Sequence, residues 1–147
     1  MPDSPNTTPP SPNALEALDL SPTGGLADSL GIRILELAAA RVVATMPVDH
    51  RTRQPFGILH GGASVALAET VASLGALCNV DVTTSSVVGV EINANHIRAK
   101  TEGTVTGTGL PLHIGRTTQV WEVRMVDERD RLICVSRCTL AVVHNRQ

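Results

Sequence analysis

Aromatic side chains are nearly missing from this sequence. Among 147 residues there is one Phe (Phe56), one Trp (Trp121) and no Tyr. The core must therefore be aliphatic and alanine-rich, and the stacking rings on which single-stranded nucleic-acid binders depend are absent. A formal net charge of −2 argues further against a nucleic-acid partner, which needs a surplus of cations for the phosphates. No apolar run reaches the ~18 residues of a bilayer span, so no membrane association is expected. The opening MPDSPNTTPPSPN has neither a basic n-region nor an apolar h-region and does not read as a secretory signal. Cys78, Cys134 and Cys138 show no CxxC spacing and read as free thiols in a reducing compartment, which points to the cytoplasm. The five histidines include no pair at ligand spacing, so neither metal nor another cofactor is expected.

What is present has the composition of one globular domain: 42% hydrophobic and 18% charged residues. Proline, Ser, Asn and Thr crowd the first dozen residues, and 1–24 reads as a loosely attached tail with a short helix at 13–20. The domain is then 25–147. A short helix is expected at 25–30, ended by Gly31, followed by strands at 32–37 and 41–46. Residues 47–59, with two prolines and a glycine, read as a loop. Residues 60–80 are dense in Ala, Leu and Val and too long for a strand, so they form a helix. Strands are expected at 86–95, 103–112, 117–127 and 132–144, the last two joined through the charged turn at 128–131. Trp121, Val123 and Met125 alternate with Val120, Glu122, Arg124 and Val126, as in a half-buried strand. Two strands, a long helix and four strands make an α+β protein with an antiparallel sheet around one central helix.

That helix is apolar nearly all round, as a buried helix is. Glu69 is the one residue of 60–80 ionised near pH 7. A buried carboxylate is costly unless it is paired, hydrogen-bonded or faces a wet site. Ser73, four residues on, shares its face. The helix opens on His60-Gly61-Gly62, and glycines there expose backbone N–H donors at the positive end of the helix dipole, where a carbonyl gaining negative charge is stabilised. Gln54 adds an amide donor just upstream. The set suits acyl transfer. Glu69 lies nine residues past His60, about 13.5 Å along the axis at 1.5 Å per residue, and on the opposite face. If these groups serve one thioester, two antiparallel copies of the helix must provide them, so a dimer with two shared sites is expected.

The segment MPVDHRTRQPFGILHGGASVALAETVAS, with VGVEINANHIRAK and PLHIGRTTQVWEV further on, resembles the hotdog-fold acyl-CoA thioesterases. It is most similar to the branch with a catalytic Glu on the central helix. That branch includes the 1,4-dihydroxy-2-naphthoyl-CoA thioesterase of menaquinone biosynthesis, the enterobactin-pathway proofreading thioesterase and, more distantly, the Arthrobacter-type 4-hydroxybenzoyl-CoA thioesterase. The resemblance covers nearly everything after Gly25. It implies that Glu69 acts as nucleophile or general base, and that Gln54 and the Gly61 N–H polarise the thioester carbonyl. His60 would sit beside the thioester, Ser73 would position water, His96 would lie near the acyl or pantetheine end, and Leu74 would line the acyl pocket. It also implies a dimer, commonly paired into a tetramer.

For the nucleotide of an acyl-CoA substrate, Arg98, Lys100 and Arg116 are the candidate cations and Thr117 a hydroxyl donor. His50 and His144 read as surface residues, His113 as a structural strand or turn histidine, Asp49 as a turn residue, and the cysteines as small apolar packers. An aryl- or aroyl-CoA, foremost 1,4-dihydroxy-2-naphthoyl-CoA, is the expected substrate. A carrier-protein thioester and broad acyl-CoA hydrolysis stand as alternatives within the class. A non-catalytic acyl-CoA-binding protein is the rival of another class, disfavoured because binding alone has no use for Glu69 beside carbonyl-polarising groups. A hotdog hydratase is disfavoured by the lack of an Asp–His dyad.

Overall fold

The computed structural model describes residues 25–144; the tail at 1–24, with the helix expected at 13–20, lies outside them. Helix α1, Leu26–Leu30, stops at Gly31, whose φ of +71° favours glycine. Strands β1 (Arg33–Ala38) and β2 (Arg41–Pro47) form a hairpin. After a loop comes the long helix α2, Gly61–Leu77, then β3 (Ser85–His96), β4 (Thr104–Ile114), β5 (Thr118–Val126) and β6 (Leu132–His144). The six strands make one antiparallel sheet in the order β1-β2-β4-β5-β6-β3. The chain thus leaves β2, crosses the sheet as α2 and returns on the far edge as β3. The expected α+β class and element order hold, as does the expected alternation in β5: Trp121, Val123 and Met125 are buried, while Arg124 is exposed.

Small residues let α2 lie close to the sheet. Ala63, Ala68, Ala72 and Ala76 are buried on the helix with Leu67 and Val71. On β4, Gly107 faces Leu67 and Gly109 faces Val71, where a Cβ on Gly109 would come to 2.5 Å from the valine methyl. Trp121 is fully buried beneath Gly75, and a Cβ there would collide with its ring. The indole N–H donates to Gln119 Oε1 at 3.1 Å, and Gln119 Nε2 donates to the Ala76 carbonyl at 3.2 Å. Complete burial of side chains such as Leu67 and Val71 contributes about 1.5–3 kcal/mol each.

Two expectations are corrected. The helix ends at Leu77, three residues short of 80, because Asn79 folds back and donates through Nδ2 to the carbonyls of Gly75 and Ala39, both at 2.8 Å. Nor is the helix buried all round. A single sheet covers one side of it, and the opposite side, with Gly62 and Glu69, is exposed in the protomer.

Candidate active site

The loop before α2 is built to hold the helix start. Thr52 is buried, its hydroxyl donates to the Pro47 carbonyl at 2.8 Å, and its own carbonyl accepts the His60 N–H at 2.8 Å. Arg53 and Leu59 bridge across a tight turn carrying Gln54 and Phe56. Gln54 Oε1 accepts the Phe56 N–H at 2.6 Å. This uses the amide's acceptor end and leaves its NH2 as the donor, as carbonyl polarisation requires.

His60 is the N-cap of α2. Its Nδ1 accepts the Gly62 N–H at 2.8 Å, and its carbonyl accepts from Ala63 and Ser64. With Nδ1 accepting, the neutral ring carries its proton on Nε2. Among the first N–H groups of the helix, that of Gly61 has no hydrogen-bond partner among the described residues. His96, the last residue of β3, lies against Gly61: a Cβ on Gly61 would stand 2.8 Å from His96 Nε2. His60, Gly61 and His96 therefore gather at one end of the helix, reached from the loop that holds Gln54.

Glu69, Ser73 and Leu74 share a different place, a groove of about 490 Å³ along the outward side of α2. Gly62, Val65, Ala66 and Thr70 complete it from the same helix, and Leu26 of α1 closes one side. The lining is mostly apolar, with the carboxylate and two hydroxyls as its polar groups. Glu69 is exposed in the protomer, which corrects the expectation of a carboxylate buried by its own chain. Its Oε1 rests against β3, 2.5 Å from where a Cβ on Gly89 would be. The contact with Gly89 and the part of Leu26 were not foreseen from the sequence. A lone glycine in the β-branched run SVVGVEI signals a close approach, but not what approaches.

The protomer does not unite all the expected residues. Glu69 and Gly61 are eight positions apart on one helix, about 12 Å along its axis. Arg98 follows β3, whose end pairs with Cys134, whereas the turn with Arg116 and Thr117 precedes Thr118, which pairs with Ala141. Seven positions of β6 separate those partners, about 23 Å at ~3.3 Å per residue. Arg98 and Arg116 are exposed and make no ion pair among the described residues. Lys100 is committed elsewhere: its ammonium lies 2.7 Å from Glu128, and this bond holds the Glu128 carboxyl down at about 2. Asp49 is a turn residue clamped by Arg51 at 2.7 Å, its carboxyl likewise held at about 2 by that pair. The thiols are buried and free. Burial pushes Cys138 up to about 11, with the Glu69 and Glu91 carboxylates adding to the shift. No helix among the described residues is long and apolar enough to cross a membrane.

An exposed carboxylate beside a hydroxyl in an apolar groove, with an amide NH2 and a free N–H at a helix start, carries the parts of an acyl hydrolase. Comparison with known proteins agrees. Residues 56–134 match the model of the thioesterase superfamily. The Bacillus subtilis protein ComA2, provisionally assigned as an esterase, is 62% identical over 118 residues, covering 80% of this chain and 94% of the relative. The 1,4-dihydroxy-2-naphthoyl-CoA hydrolase of Escherichia coli is 49% identical over 130 residues, covering 88% of this chain and 94% of the relative. A crystal structure of a mutant of thioesterase PA1618 from Pseudomonas aeruginosa superposes with a TM-score of 0.84 at 44% identity, covering 89% of this chain and 94% of that one. With the helix-wrapping sheet, the matched model and these relatives in agreement, this chain belongs to the thioesterase superfamily and is a thioester hydrolase of the hotdog fold.

Proposed function

We propose that the protein hydrolyses an aroyl-CoA thioester, 1,4-dihydroxy-2-naphthoyl-CoA foremost, at sites shared between two copies of the chain. The observation that carries this reading is the mostly apolar groove holding Glu69, Ser73 and Leu74, in a chain 49% identical to a hydrolase of that ester. In this reading the acyl group lies along Leu74 and the thioester carbonyl accepts from the Gly61 N–H and the Gln54 amide. Glu69 of the other copy takes a proton from water, or attacks the carbonyl carbon itself. Ser73 orients the water, and His60 and His96 flank the thioester. With water as nucleophile, the hydroxide adds to the carbonyl carbon, the C–S bond breaks, and the proton taken by Glu69 passes to the sulfur, so coenzyme A thiol and the carboxylic acid are released. With Glu69 as nucleophile, its oxygen displaces the thiolate and leaves an acyl–Glu69 anhydride. Water then opens the anhydride, frees the carboxylic acid, restores the Glu69 carboxylate and supplies the proton that the thiolate takes.

Two features support the shared site. The outward side of α2 is left uncovered by its own chain, and Arg98 lies far from Arg116 and Thr117. Those three reach one CoA nucleotide most simply from two subunits. The exposed Leu110, Leu112 and Ile114 on β4 support a second interface that pairs dimers into a tetramer. A cytoplasmic location fits both the free buried thiols and a CoA ester as substrate, and the naphthoyl ester would place the enzyme in menaquinone biosynthesis.

A panel of aroyl-CoA and fatty acyl-CoA esters, followed by free-thiol release, tests the substrate. The expected result is kcat/KM for 1,4-dihydroxy-2-naphthoyl-CoA or another aroyl ester at least about 10-fold above any fatty acyl ester, equivalent to ~1.4 kcal/mol in transition-state stabilisation. Equal or better turnover of the fatty esters contradicts the aroyl reading. Higher turnover of the same aroyl group on a carrier protein reassigns the donor.

A further inference from the structure

Gly89 stands at an irregularity in β3. The register against β6 shifts between Gly89, opposite Leu140, and Glu91, opposite Thr139, so Val90 is an extra residue. Val87 packs on the core before the bulge, and Ile92 and Ala94 pack on it after. Strict alternation from Val87 would turn Glu91 inward and Ile92 outward; the extra residue restores the apolar phase. Bulges concentrate beside active sites, where they re-aim a side chain or end a pairing.

Two ordinary reasons for a glycine fail at this position. Its backbone does not need one: positive φ is confined among the described glycines to Gly31, Gly57 and Gly103. The core does not need one either. A Cβ at Gly109 or Gly75 would meet packed side chains of the interior, but a Cβ at Gly89 would meet Glu69 alone, Oε1 at 2.5 Å and Cδ at 3.6 Å, with nothing else within 4 Å. The space left by the missing side chain is filled by the carboxylate.

We propose that Gly89 is a positioning residue for the hydrolysis: its bare Cα is the seat that fixes where the Glu69 carboxylate stands. This rests on the reading of Glu69 as the reacting carboxylate. An added methyl group forces Oε1 away by several tenths of an ångström or into another rotamer. Glu69 is the far end of a flexible side chain, so the displacement costs the fold little. Displacement on the order of 1 Å at a reacting group lowers rates by about 10²-fold.

The test is Gly89→Ala, measured for kcat, KM, thermal midpoint and oligomeric state, alone and in a Glu69→Gln background. The expected result is kcat lowered about 10- to 100-fold, with KM changed less than about two-fold and an unchanged oligomeric state. The midpoint holds or rises, because alanine restricts the unfolded chain. In the Glu69→Gln background the second substitution lowers kcat by less than about two-fold, since the group it displaces has already lost its function. Wild-type kcat in Gly89→Ala, while Glu69→Gln loses at least ~10³-fold, overturns the role of Gly89 and leaves Glu69 standing. A kcat loss that comes with a lowered midpoint and multiplies with the Glu69→Gln loss marks Gly89 as structural and overturns the proposal too. An active Glu69→Gln enzyme removes the reading on which it rests.

Discussion

Glu69 has no cation beside it among the described residues, unlike Asp49, Asp127 and Glu128, which are each clamped by an Arg or Lys. A carboxylate left unpaired in a mostly apolar groove is available for proton transfer or attack. Glu69→Gln is expected to keep the fold and thioester binding and to lower kcat by at least ~10³-fold, measured by steady-state thiol release. Wild-type turnover would remove Glu69 from the chemistry. A single turnover in oxygen-18 water separates its two possible roles, since label enters the Glu69 carboxylate only if it is the nucleophile. At this scale the sequence was informative where a motif states a chemistry. HGG followed by Glu69 and Ser73 marks a helix start, a carboxylate and a hydroxyl on known faces. It was uninformative about exposure, because an apolar helix face reads the same whether it meets its own sheet or is left uncovered by it.

The elements owe their close fit to residues too small to show a pattern. Gly107 and Gly109 of β4 and Gly75 of α2 admit Leu67, Val71 and Trp121, so helix and sheet approach each other in a core with one buried ring. Gly75→Ala weighs two effects. Alanine favours a helix interior by about 1 kcal/mol over glycine, but its methyl would collide with the fully buried Trp121 ring, which is tethered through Gln119 to the helix. Overpacking costs typically ~1–3 kcal/mol, so the thermal midpoint is expected to fall; a rise would show that the ring can yield. At the other end of the sheet, Lys100 ties Glu128 of the β5–β6 turn to the start of β4, where Glu128 also accepts the Thr104 N–H. The Glu128 carboxyl titrates at about 2 in the fold against its usual 4.5. Its contribution to stability is therefore complete above pH 4.5 and is lost as the pH falls toward 2. Denaturant unfolding at stepped pH should show a shallower loss of stability across that window for Glu128→Gln than for the natural chain; parallel curves would show that the pair has no part in acid sensitivity. Strand positions were legible from alternation and turn residues. The helix end was not, because it depends on Asn79 reaching the Ala39 carbonyl, a contact between residues forty positions apart.

The protomer places the expected site residues in two separate groups. The helix start with Gln54, His60, Gly61 and His96 lies at one end of α2, and the groove with Glu69, Ser73 and Leu74 lies farther along its outward side. The separation of the two groups was readable from helix geometry alone, since nine residues place Glu69 and His60 on opposite faces. The division of Arg98 from Arg116 and Thr117 was not, because it follows from how β3 and β5 are registered along β6. The sparse aromatics acquire a meaning at this scale. Trp121 is sealed beneath the helix, while Phe56 is 90% exposed on the turn that carries Gln54, so neither ring lines the groove of its own protomer. The central claim, one thioester served by two chains, is tested most directly by complementation. Glu69→Gln and Gly61→Pro chains, the second lacking the open N–H, are each purified inactive and then mixed under conditions of confirmed subunit exchange. A mixed dimer contains one site with both defects and one with neither, so thiol release should recover to roughly a quarter of the wild-type rate at equal mixing, because about half of the dimers are mixed and each has one intact site of two. Confirmed exchange with no recovery would contradict the shared site.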